Sequence, residues 1–245
     1  MSNSAFFANL GGAVALSLLA QVQVQANQTQ ETAMLKPEWV EVTDEPQHVH
    51  RFENDYARVY DVRFASGEKS LYHRHSQDTF YVAVHAAKVY DQVFGAEQGL
   101  EHDLPAGFSM CRGHLGEPLI HQVSNTGDSP MRMIGAEVRK RPAVTTEAPL
   151  QAPHHELAPN MFDVDRVRMY RIKLAPGMST GEIRYGFSAL TVVLSQSSLN
   201  IDEATGGSQV VSYEPGDHVW RDGPTTLTLT NVGETPFEAV MGEWR

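Results

Sequence analysis

A ten-residue segment, Arg58-Val-Tyr-Asp-Val-Arg-Phe-Ala-Ser-Gly67, returns as Arg168-Met-Tyr-Arg-Ile-Lys-Leu-Ala-Pro-Gly177, and no other feature limits the fold as strongly as this duplication. Tyr60, Val62 and Phe64 alternate with mostly charged neighbours, as do Tyr170, Ile172 and Leu174 in the second copy. A period of two is that of a half-buried strand. Phe80, Val82 and Val84 recur as Leu190, Val192 and Leu194. Each copy closes on an Asn-x-Gly turn, at Asn125 and at Asn231, set between two further strands. No segment holds a helical apolar period, and Gly, Pro and Asn punctuate short alternating runs. The expected fold class is all-β: two tandem jelly-roll-like β-barrels related by duplication.

The division expected from this pattern is a first barrel over 35–141, a Pro-rich linker over 142–159 and a second barrel over 160–245. His154 and His155 fall in the linker and read as solvated loop residues. Residues 1–34 read apart from the barrels. An apolar stretch from Phe6 to Ala20 precedes a polar run from Gln21 to Thr32, with small residues at Ala20 and Ala26. That pattern is a signal peptide or a disordered tail. Cleavage would place the protein in the periplasm or outside the cell, and without cleavage it would be cytoplasmic. The stretch is too short for a comfortable membrane span, so the mature protein is expected to have none.

A chain of 245 residues, 41% hydrophobic, can bury a substantial core. Its formal charge of −11 and the lack of any Lys/Arg run exclude a nucleic-acid partner and favour a small molecule. The single cysteine, Cys111, excludes an internal disulfide and a cysteine-based zinc site.

Histidines carry the chemistry. His73 and His75 lie two apart, so on a strand both face one side and can chelate one ion, and a third imidazole at His121 would complete a facial set with open positions. The pattern resembles the cupins, whose first motif runs from a Gly through five residues to His-x-His and then a Glu, and whose second ends in His-x3-Asn. Gly67, His73, His75, the strand Thr79-Phe-Tyr-Val82, His121 and Asn125 match. Asp78 stands near the Glu position, one residue closer to His75 than usual, and the resemblance makes it fourth ligand and catalytic base. The second motif departs at Gly113, where a proline is usual. The repeat offset falls from 109 at Gly107 and Gly216 to 106 at Asn125 and Asn231, so the first copy holds three extra residues before His121.

The same offsets put Ile183, Tyr185, Ser188 and Leu227 where the first copy has His73, His75, Asp78 and His121, so one divalent metal per chain (Fe, Mn, Ni or Zn) is expected in the first repeat only. Tyr60, Phe64, Phe80 and Val82 are expected by parity to line a substrate pocket beside it. His48 and His50 form another His-x-His and read as surface strand residues. His85, His102, His114 and His218 read as loop or strand-end residues, with His114 inside the insertion and near enough to approach the pocket. The resemblance implies a metal-dependent enzyme on a small organic molecule, foremost an oxidoreductase of the dioxygenase type, because two-barrel cupins with a ligand-poor second half resemble flavonol-cleaving dioxygenases. A lyase or isomerase, and an exported cupin that binds without turnover, are the alternatives. A homo-oligomer is a further implication of the resemblance.

Overall fold

The computed structural model describes residues 38–245 apart from 144 and 163, so the expected leader over 1–34 lies outside the described residues. The first repeat forms β1 (Val40–Glu41), β2 (His48–Glu53), β3 (Ala57–Phe64), β4 (His73–His75), β5 (Thr79–Ala83), β6 (Ala87–Val93), β7 (Leu100–Leu104), β8 (Ser109–Arg112), β9 (Leu119–Asn125) and β10 (Met131–Val138). The second forms β11 (His155–Ala158), β12 (Val167–Leu174), β13 (Ser179–Tyr185), β14 (Ala189–Val193), β15 (Ser197–Glu203), β16 (Ser208–Tyr213), β17 (His218–Arg221), β18 (Thr225–Asn231) and β19 (Phe237–Trp244). Among the described residues the one helical element is a 3-10 turn, Val42–Asp44.

Each repeat closes two sheets on each other. The first has the orders β1-β4-β9-β6-β7 and β2-β3-β10-β5-β8; the second has β11-β12-β19-β14-β17 and β13-β18-β15-β16. The two copies therefore share topology strand for strand from β2 and β11 onward. β11 lies inside the segment expected as linker. It pairs with β12 as β2 pairs with β3, His155 opposite Ile172 and His48 opposite Val62. Thus the second barrel begins before Pro159, and His155 is half-buried, its Nε2 3.0 Å from the Tyr185 hydroxyl.

The duplicated residues do the same work twice. Gly67 and Gly177 take φ of 78° and 76°, left-handed conformations that favour glycine, and each donates its N–H to the carbonyl of Asn125 or Asn231. Those asparagines are fully buried, and their Nδ2 groups donate to the carbonyls of Phe64 and Leu174, pinning the end of β3 or β12 to the turn before the last strand. A second buried unit pairs Tyr60 with Glu137 at 3.1 Å and Tyr170 with Glu243 at 2.7 Å, with Arg58 and Arg168 beside them. Tyr60, expected at the pocket, belongs to this unit and recurs in both copies, so it serves the fold.

The repeats bury a common core. Phe80, Val82 and Ile134 of the first pack in one cluster with Val167, Leu190 and Trp244 of the second. Trp244 donates its Nε1–H to the Tyr56 carbonyl at 3.1 Å. Gly242 admits this approach, since a Cβ there would sit 2.8 Å from Val167 and 3.0 Å from Phe80. Arginines lace the same boundary. Arg132 reaches the Pro215 carbonyl, and Arg171 donates to the Gly107 carbonyl at 2.6 Å.

Arg132 is itself held by Asp61, a carboxylate 1% exposed that also accepts from Arg51 and Arg63. Burial alone would raise the Asp61 pKa, but hydrogen bonds and charge from the three arginines outweigh it and hold the carboxyl well below the usual range. Asp61→Asn should lower unfolding stability by about 2–3 kcal/mol, less than for a wholly buried pair because the arginines are partly exposed. Because the folded-state pKa is depressed, this contribution is complete above the unfolded value of about 4, declines below it and is lost only as pH falls through the folded value. Denaturant titrations at pH 7 and pH 3 check both statements: the difference between variant and parent should be full at the first and smaller, though still present, at the second.

Candidate metal centre

Antiparallel pairing of β4 with β9 sets His73 opposite His121, and the two-residue period puts His75 on the same face. His73 and His75 are 0% and 3% exposed. Their Nε2 atoms stand 3.1 Å apart, the separation of two nitrogens each about 2.1 Å from one ion and subtending about 95° there. The His121 ring centroid is 4.6 Å from that of His73 and 5.2 Å from that of His75. A fourth imidazole arrives from the other sheet. His48, expected as a surface residue, is half-buried, and one ring nitrogen of His48, His73 and His75 apiece lies within 4.8 Å of the others. His50 is exposed, as expected.

The partners of the opposite ring nitrogens fix what these imidazoles present. The Nδ1 of His73 faces the Leu71 carbonyl at 3.0 Å, that of His48 faces a Glu45 carboxylate oxygen at 2.6 Å, and that of His121 faces an Asp91 carboxylate oxygen at 2.7 Å. Carbonyls and carboxylates only accept, so each Nδ1 carries a proton and Nε2 is the nitrogen left to face an ion. The Nδ1 of His75 lies 3.3 Å from the Tyr81 hydroxyl. Burial, followed by the neighbouring His48 and His121, pushes His73 down to about 2, and burial pushes His75 well below its ordinary value, so both are neutral near pH 7. The His121 Nε2 is buried without a hydrogen-bond partner. The Nε2 atoms of His73 and His75 converge at 3.1 Å with an orphaned buried nitrogen of His121 beside them, and imidazoles backed by carbonyls or carboxylates are what a divalent transition metal takes. The residues present fit such an ion.

Asp78 is not brought to this cluster. Its Oδ1 accepts from the backbone N–H groups of His114 and Leu115 at 2.8 and 3.1 Å, and its Oδ2 lies 3.5 Å from Arg166. The physical reason is parity. Tyr81 lines the cavity beside the histidines, so Thr79 shares its face, and a residue one place earlier points the other way. Phe80 and Val82 have the parity of Asp78 and pack in the core shared by the repeats, not in the pocket, whereas Phe64 lines the cavity as expected. The extra residues of the first copy lie between β8 and β9, a connection of six residues against three between β17 and β18. There the Asp78 carboxylate fixes His114, which is 1% exposed and stacks on His75 at 5.3 Å.

The histidines stand in the wall of a cavity of about 470 Å³. Its lining is mostly apolar, with Val62, Phe64, Phe108 and Met133 among it. Arg112 is the one arginine or lysine lining it among the described residues, 4.0 Å from Asp91 and with its guanidinium 5.5 Å from the Phe162 ring centroid. Glu101, His102 and Asp103, exposed on β7, line the cavity as well. In the second barrel Ile183, opposite Leu227, and Tyr185 replace the ligands and belong to an apolar core around a cavity of about 40 Å³. Ser188 is buried, and its Oγ accepts from the Gly223 N–H. Cys111 is buried, and burial pushes its thiol up to about 12, so it is inert.

No protein-family model matches the chain, and no curated protein matches it in sequence. Solved structures do match. Salicylate 1,2-dioxygenase from Pseudoaminobacter salicylatoxidans superposes with a TM-score of 0.54 at 14% identity, over 77% of this chain and 71% of that one. A glycine-to-alanine mutant of that enzyme in complex with gentisate superposes with a TM-score of 0.56 at 14% identity, over 90% and 79%. At this identity the likeness concerns the fold: an all-β cupin fold with two barrel-like halves. No helix among the described residues is long and apolar enough to cross a membrane.

Asp91→Asn keeps an acceptor for the His121 Nδ1–H but removes its charge. It should weaken binding of a divalent transition metal about 10–100-fold, as measured by competition with a chromophoric chelator; unchanged affinity would mean that Asp91 does not act through His121.

Proposed function

We propose that the first barrel is a mononuclear metal centre on His73, His75 and His121, and that the protein is an oxidoreductase of the dioxygenase type acting on a small organic acid. The observation that carries this reading is the set of imidazole nitrogens converging in the wall of a largely apolar cavity that also presents one arginine. When bound, a divalent transition metal supplies Lewis acidity, and iron or manganese adds one-electron chemistry with dioxygen.

The chain's own residues do the rest. Arg112 is placed to take a substrate carboxylate, since its planar fork matches that group in two parallel hydrogen bonds. Phe64, Phe108, Val62 and Met133 offer the apolar wall against which a ring or short hydrocarbon body would lie, and they exclude water from it. Leu71, Asp91 and Tyr81 hold the imidazole rings in orientation. Insertion of both atoms of dioxygen into a carbon–carbon bond needs no separate reductant, so one small cavity suffices. The fold likeness to an enzyme crystallised with gentisate supports trying hydroxybenzoates first. Asp78, committed to the His114 loop, has no part in this scheme.

Protein reconstituted with Fe(II) or Mn(II) should consume oxygen with at least one hydroxybenzoate or related hydroxy acid, and His73→Ala should abolish this. Arg112→Leu should raise KM about 10–100-fold, the worth of a charge-assisted hydrogen bond, with a smaller change in kcat. Stoichiometric metal binding without oxygen uptake across the panel would replace the enzyme with a binding protein.

A further inference from the structure

His48 lies outside both motifs that carry the metal reading, yet it stands inside the cluster they define. It belongs to β2, an edge strand of the sheet facing β4, where it pairs with Val62 of the cavity wall; His50, opposite Tyr60 on the same face, is exposed. Its ring centroid is 4.5 Å from that of His73 and 6.0 Å from that of His75. Its Nδ1–H is spent on Glu45 at 2.6 Å, which leaves Nε2 as the nitrogen that joins the 4.8 Å group with His73 and His75.

Glu45 is built for this task. It is 3% exposed, and its Oε2 also accepts from the Gln47 N–H at 2.8 Å while Oε1 accepts from the Leu71 N–H at 3.2 Å. The carbonyl of that same Leu71 accepts from the His73 Nδ1 at 3.0 Å. One buried carboxylate thus fixes His48 directly and, through a single peptide residue, the ring beside it. Three donors, the His48 Nδ1–H and two backbone N–H groups, converge on this buried carboxylate and fix it in place to back a ligand imidazole.

We propose that His48 is a fourth imidazole ligand of the metal centre, with Glu45 as its positioning residue. The inference rests on the centre proposed above. It makes the coordination all-nitrogen. It also makes the ion a link between the two sheets of the first barrel, since His48 comes from one and His73, His75 and His121 from the other. Four imidazoles around a six-position ion leave two positions, enough for a single chelating substrate.

Cu(II) alone is the probe. Chelator-stripped full-length protein, His48→Asn and His73→Asn are loaded with one equivalent, and affinity is read by competition while coupled nitrogens are counted by pulsed electron paramagnetic resonance. The wild-type spectrum should show four imidazoles. His48→Asn should keep one ion with three imidazoles and an affinity lower by at least about 10-fold, and His73→Asn should lose the site. Unchanged affinity and nitrogen count in His48→Asn would overturn the role of His48 while leaving the centre. Retention of the same signal in His73→Asn would overturn the centre and this inference with it. If His48→Asn does not fold, the wild-type count decides: four supports the proposal and three overturns it.

Discussion

Strand β4 is three residues long, and its pairing with β9 is the contact on which the site depends. The register places His73 across from His121, and the pleat turns His75 to the same side. Backbone hydrogen bonds therefore set the separation of three imidazoles before any side chain chooses a rotamer. The Nδ1 partners then choose the tautomer. A carbonyl at His73 and a carboxylate at His121 take up Nδ1 and leave Nε2 as the free nitrogen in a buried space, without any partner at His121, an arrangement a cation would satisfy.

Duplication shows which residues belong to the frame and which to the site. The glycine turns, the buried asparagines and the Arg–Tyr–Glu units occur in both barrels, so they are conditions of the fold. What differs is the inner face. Ile183 and Leu227 replace His73 and His121, Tyr185 replaces His75, and the interior contracts from about 470 Å³ to about 40 Å³. The second barrel instead gives its other face to the shared core, where Trp244 and Leu190 meet Phe80 and Val82. One barrel is a container, and the other is its support.

Much of this was legible in the sequence. The repeat, the all-β class and the shared face of His73 and His75 follow from recurring segments and two-residue spacing, and the motif resemblance added His121. The failures share a cause. β5 is buried on both faces, by the cavity on one and by the second barrel on the other, so alternation marks no inner side; Phe80 and Val82 read as inward when Tyr81 is. Asp78 sits one residue short of the inward position, and the motif resemblance made it look like a ligand. His48 was missed because β2 lies upstream of the segment in which the repeat is detectable. Its counterpart, His155, follows at an offset of 107 where the neighbouring strand has 110. Only the strand pairing, His48 with Val62 and His155 with Ile172, reveals the match.

Diffraction from crystals of the metal-loaded protein, recorded on both sides of the absorption edge of the metal, tests the central claim most directly. The account predicts one anomalous peak per chain, in the first barrel, about 2.1 Å from the Nε2 atoms of His73, His75 and His121, and none in the second. An absent peak, or one centred on Asp78 or in the second barrel, would contradict it.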